Sequence, residues 1–149
     1  MEKIIIYTDG ASRNNPGQAG AGAYITDADG NMLKECTRAL GIATNNFAEY
    51  EAIILGLENV KKMYGEKKVK ELDVEVRMDS ELAQRQLTGV YQVKEPTLWP
   101  QFMKIWNLKV ASFPHVRFVH IPREKNTEAD RLSNEAIDGK PERGRTLFA

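Results

Sequence analysis

The stretch that most constrains this chain is Ile4-Ile5-Ile6-Tyr7-Thr8-Asp9, followed by Gly10-Ala11-Ser12-Arg13-Asn14-Asn15-Pro16-Gly17. The apolar, β-prone run reads as a buried strand that delivers an acid into a turn built from Gly, Ser, Asn and Pro. An acid at the carboxyl end of a buried strand lies where open α/β sheets bind ligands. Asp-Gly is also a common hairpin turn. The motif therefore gains force only if other acids arrive at the same place.

The chain then reads as an antiparallel meander. Ala19 to Thr26 is a second strand, Asp27-Ala28-Asp29-Gly30 a hairpin signal, and Met32 to Leu40 the returning third strand. A long helix follows, with Thr44 or an Asn as its cap. Phe47, Tyr50, Ile54, Leu57 and Val60 recur at helical spacing, and Gly65 is the expected stop. Glu49, Ala52, Ile53 and Gly56 share one face of small residues, which turns the Glu49 carboxylate toward the sheet; the alternative is an exposed Glu stabilising the positive helix start.

Leu72 to Asp79 alternates cleanly as a strand with Leu72, Val74, Val76 and Met78 inward, and it too ends on an acid before a helix, Ser80 to Leu87. If this strand lies parallel to the first, with the long helix as crossover, Asp9 and Asp79 end neighbouring strands at one sheet edge. A further helix starts at Pro96 to Trp99 and runs through Phe102, Ile105, Trp106 and Val110, and the heptad spacing of Trp99 and Trp106 predicts core positions rather than nucleobase platforms. Val116 to Ile121 reads as the last strand and Pro122 to Lys125 as a charged loop. Asn126 is the candidate cap of a final helix burying Ala129, Leu132, Ala136 and Ile137. Asp130 lies one turn inside that helix; Asp138, at its far end, reads as a surface residue. The segment after Gly139 is expected to be a mobile tail.

The length of 149 residues suits a single domain over 1–149. One cysteine, Cys36, excludes an internal disulfide and fits a reducing compartment. No apolar run approaches a signal sequence or membrane span, so a soluble cytoplasmic protein without a membrane partner is expected. Twenty-one Lys and Arg balance 21 Asp and Glu, which argues mildly against a generic nucleic-acid binder. Cations do cluster locally, at Lys61, Lys62, Lys67, Lys68 and Lys70, at Arg117, Arg123, Lys125 and Arg131, and at Lys140, Arg143 and Arg145, each a solvated face on its simplest reading.

Asp9 in Thr8-Asp9-Gly10 with Asn15-Pro16-Gly17, Glu49 in Thr44-Asn45-Asn46-Phe47-Ala48-Glu49, Asp79 in Asp79-Ser80, and Asp130 in Asn126-Thr127-Glu128-Ala129-Asp130 follow one another in the order of four acidic motifs. Together they resemble the ribonuclease H family, type 1, over nearly the whole chain. The resemblance implies an α/β fold with a five-stranded mixed sheet, three strands antiparallel and two more parallel to the first, and helices on both faces. It implies an endonuclease that hydrolyses the RNA strand of RNA/DNA hybrids, leaving a 3′-hydroxyl and a 5′-phosphate, with double-stranded RNA a further candidate substrate and a monomer the default state. It also implies two Mg²⁺ ions, with Mn²⁺ as substitute: Asp9 bridges both, Glu49 and Asp79 complete one site, and Asp130 helps hold the other with its attacking water. Hard cations of this kind need oxygen ligands, and a pair can stabilise the attacking and leaving oxygens of an in-line displacement. Four carboxylates sharing a pocket repel one another, so some should hold protons near neutrality and activity should rise with pH.

By the same resemblance Asn15, Asn45, Asn46 and the backbone at Gly10 and Ala11 touch the RNA strand, Ser80 enters the same groove, and Thr44 binds a DNA phosphate. Read as local structure, Asn15 suits a turn and Asn45 and Asn46 a helix entry. Family members often carry a histidine before the last motif. Here the loop is shorter, Arg123 is the charged residue expected to enter the site, and His120 falls within a strand. The basic, tryptophan-rich protrusion of some members is missing, and Ile42 stands where an arginine sometimes does. The competing expectation is a hybrid-binding module with little catalysis. A related exonuclease would carry a second acid where this chain has Ala11.

Overall fold

The computed structural model describes residues 1–140; the tail expected to be mobile, with Arg143 and Arg145, lies from residue 141 onward outside the described residues. Among the described residues, five strands, β1 (Lys3–Arg13), β2 (Gly17–Asp27), β3 (Met32–Ala43), β4 (Asp73–Met78) and β5 (Val116–His120), and four α-helices, α1 (Asn45–Val69), α2 (Glu81–Leu87), α3 (Trp99–Ser112) and α4 (Thr127–Ile137), follow in the order β1-β2-β3-α1-β4-α2-α3-β5-α4. The sheet order is β3-β2-β1-β4-β5, with β1 antiparallel to β2, β2 antiparallel to β3, and β4 parallel to both β1 and β5. This is the mixed sheet expected from the sequence.

Small residues set how closely the helices approach. A Cβ on Gly56 of α1 would lie 2.6 Å from Ile6 and 3.4 Å from Ala23, whereas one on Gly22 of β2 would lie 2.6 Å from the Ser133 nitrogen of α4. Gly22 and Ala23 are successive strand residues and point to opposite faces, so α1 covers one face of the sheet and α4 the other. The core between α1 and the sheet is built from Ile4, Ile6, Val74, Val76, Tyr50, Ile53 and Leu57, all fully buried or nearly so.

Three expectations are corrected. β1 does not end on Asp9 but continues to Arg13, because β2 pairs with it through Arg13↔Gln18; only its parallel ladder with β4 stops, at Thr8↔Met78. Gly65 does not end α1. It kinks it, with φ 86 and ψ 166, and helix resumes to Val69. Trp99 and Trp106 are not core residues, being 55% and 51% exposed, because the inward stripe of α3 is Gln101, Ile105 and Ser112 and their heptad lies on the outer side.

Candidate active site

Where the β1–β4 ladder stops, two acids stand side by side: Asp9 follows Thr8 and Asp79 follows Met78, the last pair in register. Glu49 comes to the same place from the second turn of α1. Its approach depends on Gly10, at which a Cβ would fall 2.1 Å from the Ala48 carbonyl carbon, so β1 and the start of α1 touch backbone to backbone. Carboxylate oxygens of Asp9, Glu49 and Asp79 all lie within 4.8 Å of one another, with Asp9 and Glu49 buried and Asp79 half-buried. Asp130, exposed on the first turn of α4, lines the same cleft, together with Gly10, Ala11, Asn45, Asn46, Ser80 and Arg123.

No ion pair within 4.0 Å neutralises Asp9, Glu49 or Asp79 among the described residues. Burial first, then the charges of Asp79 and Asp130, push Asp9 up to about 8. Burial, followed by Asp9 and Asp79, holds Glu49 well above the ordinary carboxylate range, while the Gly10 N–H, donated to its carboxylate, pulls weakly the other way. An exposed Glu49 acting only on the helix dipole is therefore excluded, since it is 8% exposed. Hard oxygen donors, held close, short of positive charge and retaining protons for want of it, are a donor set that fits a divalent cation.

The entrance residues are fixed by local hydrogen bonds. Thr44 is the cap of α1, its Oγ1 accepting from the Phe47 amide at 3.2 Å, and Ser80 caps α2 by accepting from the Ala83 amide at 3.2 Å. The Asn15 Oδ1 accepts from the Asn45 amide at 3.0 Å, and the Asn45 Oδ1 accepts from the Ser12 amide at 2.8 Å. Each carboxamide thus spends its oxygen on the fold and, among the described residues, keeps its NH₂ for another partner. Asn45 and Asn46 also line an adjoining groove with Asn15, Thr44, Glu95, Thr97 and Leu98. Glu95 and Thr97 carried no motif in the sequence; only their place beside a helix start, with Glu95 accepting from Thr97 N and Oγ1, marks them.

His120 ends β5, opposite Met78, and is not among the residues lining the acid cleft, whereas Arg123 is. Asp138 is a surface residue, paired with Arg13 at 2.7 Å. Asn126 holds the position expected of a cap, yet its side chain makes no capping bond. Its Nδ2 donates instead to the Thr8 carbonyl and to Asp79 Oδ2, both at 2.9 Å. No helix among the described residues is long and apolar enough to cross a membrane.

Comparison with known proteins agrees with this geometry. Residues 7–136 match a family model described as reverse transcriptase-like. The LC11 ribonuclease H1, solved in complex with an RNA/DNA hybrid, is 57% identical with a TM-score of 0.87, covering 91% of this chain and 97% of that one. A bifunctional protein of Mycobacterium tuberculosis is 39% identical over 91% of this chain, which spans only 36% of that protein's length. Ribonuclease HI of Halobacterium salinarum is 38% identical over 91% of this chain and 65% of its own length. With the four acids gathered at one end of a five-stranded mixed sheet and these relatives aligned along nearly all of it, the chain belongs to the ribonuclease H family.

Proposed function

We propose that this protein is a metal-dependent endonuclease that hydrolyses the RNA strand of RNA/DNA hybrids, leaving a 3′-hydroxyl and a 5′-phosphate, and that it acts in the cytoplasm as a single-domain monomer. The observation that carries this reading is the convergence of Asp9, Glu49 and Asp79 within 4.8 Å, with Asp130 on the same cleft. Asp9, Glu49, Asp79 and Asp130 are the residues that would hold two Mg²⁺ ions, or Mn²⁺ in their place. Bound there, such ions would polarise the scissile phosphate and lower the pKa of an attacking water. Asp9 and Glu49 must first give up the protons that burial and mutual repulsion hold on them. Asp130, at the exposed rim, orients the attacking water, and Arg123 offers positive charge to the phosphate.

Selection of the hybrid falls to groups that meet a 2′-hydroxyl from the minor groove. The free NH₂ groups of Asn15 and Asn45, the side chain of Asn46, the backbone at Gly10 and Ala11, and Ser80 face the RNA strand in this reading, and Thr44 takes a phosphate of the DNA strand. The test uses an end-labelled hybrid beside matched single-stranded RNA, double-stranded RNA and DNA duplex, in Mg²⁺, Mn²⁺ or chelator. Internal cutting of the hybrid's RNA strand, dependent on metal and leaving 5′-phosphate ends, is the expected result. Binding without cutting in either metal would make the protein a hybrid-binding module, and cutting of single-stranded RNA alone would reject the substrate.

A further inference from the structure

Asn126 stands where three acid-bearing elements meet. It is 1% exposed, and its one carboxamide nitrogen bridges the Thr8 carbonyl of β1, immediately before Asp9, and the Asp79 carboxylate after β4. Its own carbonyl accepts from the Asp130 amide at 3.1 Å, closing the first turn of α4. A single residue thus touches the backbone next to one acid, the carboxylate of a second and the turn that carries a third.

The choice of contacts is not that of a helix cap. A capping Asn spends its oxygen on an amide of the first turn. Here no such bond forms, and Asn126 Oδ1 is buried without a hydrogen-bond partner among the described residues. An unpaired buried oxygen opposes folding, so the side chain forgoes a stabilising cap while aiming both its N–H bonds at the acid site. The bond to Asp79 Oδ2 fixes the rotation of that carboxylate, and Asp79 Oδ1 has no hydrogen-bond partner among the described residues.

We propose that Asn126 is a positioning residue for cation binding: it locks the Asp79 carboxylate and the spacing between β1 and α4, so that the acids form one preorganised set of oxygen donors. This rests on the reading of the acids as ligands given above. Groups that orient a metal's ligands typically change affinity by about 10–100-fold when removed.

The test is calorimetric titration of the substrate-free protein with Mg²⁺ and with Mn²⁺, for wild type, Asn126→Ala, Asn126→Ser and Asp9→Asn, with thermal unfolding measured alongside. Asn126→Ala is expected to weaken cation binding about 10-fold or more, and Asn126→Ser, which keeps one donor, to fall between it and wild type. The Mg²⁺ concentration for half-maximal hybrid cleavage should rise by the same factor, with turnover at saturating Mg²⁺ reduced far less. Should the alanine variant not fold, the serine variant carries the comparison alone. Cation affinity within twofold of wild type in a variant that has lost thermal stability would make Asn126 a merely structural residue and overturn the proposal. Wild-type protein that binds no cation, or binds it equally well as Asp9→Asn, would overturn the ligand reading and this inference with it.

Discussion

Asp9 is an acid held where its charge is costly. Its carboxyl titrates at about 8 against an ordinary 3.8, so between those values the folded protein keeps a proton that the unfolded chain has lost. Stability from this group is therefore full below the ordinary value and is lost as pH rises through about 8. Two outcomes follow for cation-free protein. Thermal stability should decline as pH rises from about 5 to 8, and Asp9→Asn, which removes the charge and keeps the shape, should be more stable than wild type at pH 8 by about 1–3 kcal/mol. Denaturant unfolding in chelator checks both, and added Mg²⁺ should stabilise wild type but not the variant. Activity should run the opposite way in pH, rising through the acidic range as Asp9 and Glu49 release protons to a cation; a flat profile would mean that these acids do not control turnover. The four acids were legible because residue type and order sufficed. The task of Asn126 was not: an Asn before a helix reads as a cap, and its partner Thr8 lies 118 residues away.

At the scale of elements, contact distances decide more than propensity. Gly22 has no room for a side chain, its Cβ position lying 2.6 Å from the Ser133 nitrogen and 2.7 Å from the Ala129 carbonyl oxygen, so Gly22→Ala must push α4 off the sheet. A loss of about 2 kcal/mol or more is expected from denaturant unfolding. α4 is tied to β3 by Arg131, which donates to Glu35 of β3 and, within its own helix, to Glu128 and to Glu135 at 2.7 Å; Glu35 and Glu135 are buried. Arg131→Ala should cost about 2–4 kcal/mol, because it takes the guanidinium away from the buried Glu35 carboxylate. Trp106→Ser, on the outer side of α3, should change stability by less than about 0.5 kcal/mol, a result that a core tryptophan could not give. The periodicity of α3 was plain in the sequence and Ile105 belonged to it, but two tryptophans outweighed the polar Gln101 and Ser112 in fixing its inner face. The last four residues of β1 were hidden for a different reason. Gly10-Ala11-Ser12-Arg13 has little β-propensity of its own, and pairing with β2 supplies what it lacks.

For the whole molecule, function follows from topology. The crossover through α1 sets β4 parallel to β1, and the ladder stops at Thr8↔Met78, so Asp9 and Asp79 emerge together. α1 and α4, on opposite faces, then bring Glu49 and Asp130 to the same edge. The strand directions and the meeting of the acids could be read from alternation, crossover length and motif order. The groove through Asn15, Thr44, Asn45, Glu95 and Thr97 could not, since it joins segments that only the fold makes neighbours. A chain with no net charge does not hold a polyanion by bulk attraction, so cation binding at the acids should carry much of the hold on the reacting strand. The most direct measurement is cleavage of an RNA/DNA hybrid labelled on its RNA strand, in Mg²⁺, by wild type and Asp9→Asn side by side. Internal cuts in the RNA strand by wild type, abolished in chelator and reduced at least about 100-fold in the variant, are the expected result. Undiminished Mg²⁺-dependent cutting by Asp9→Asn would contradict the account at its centre.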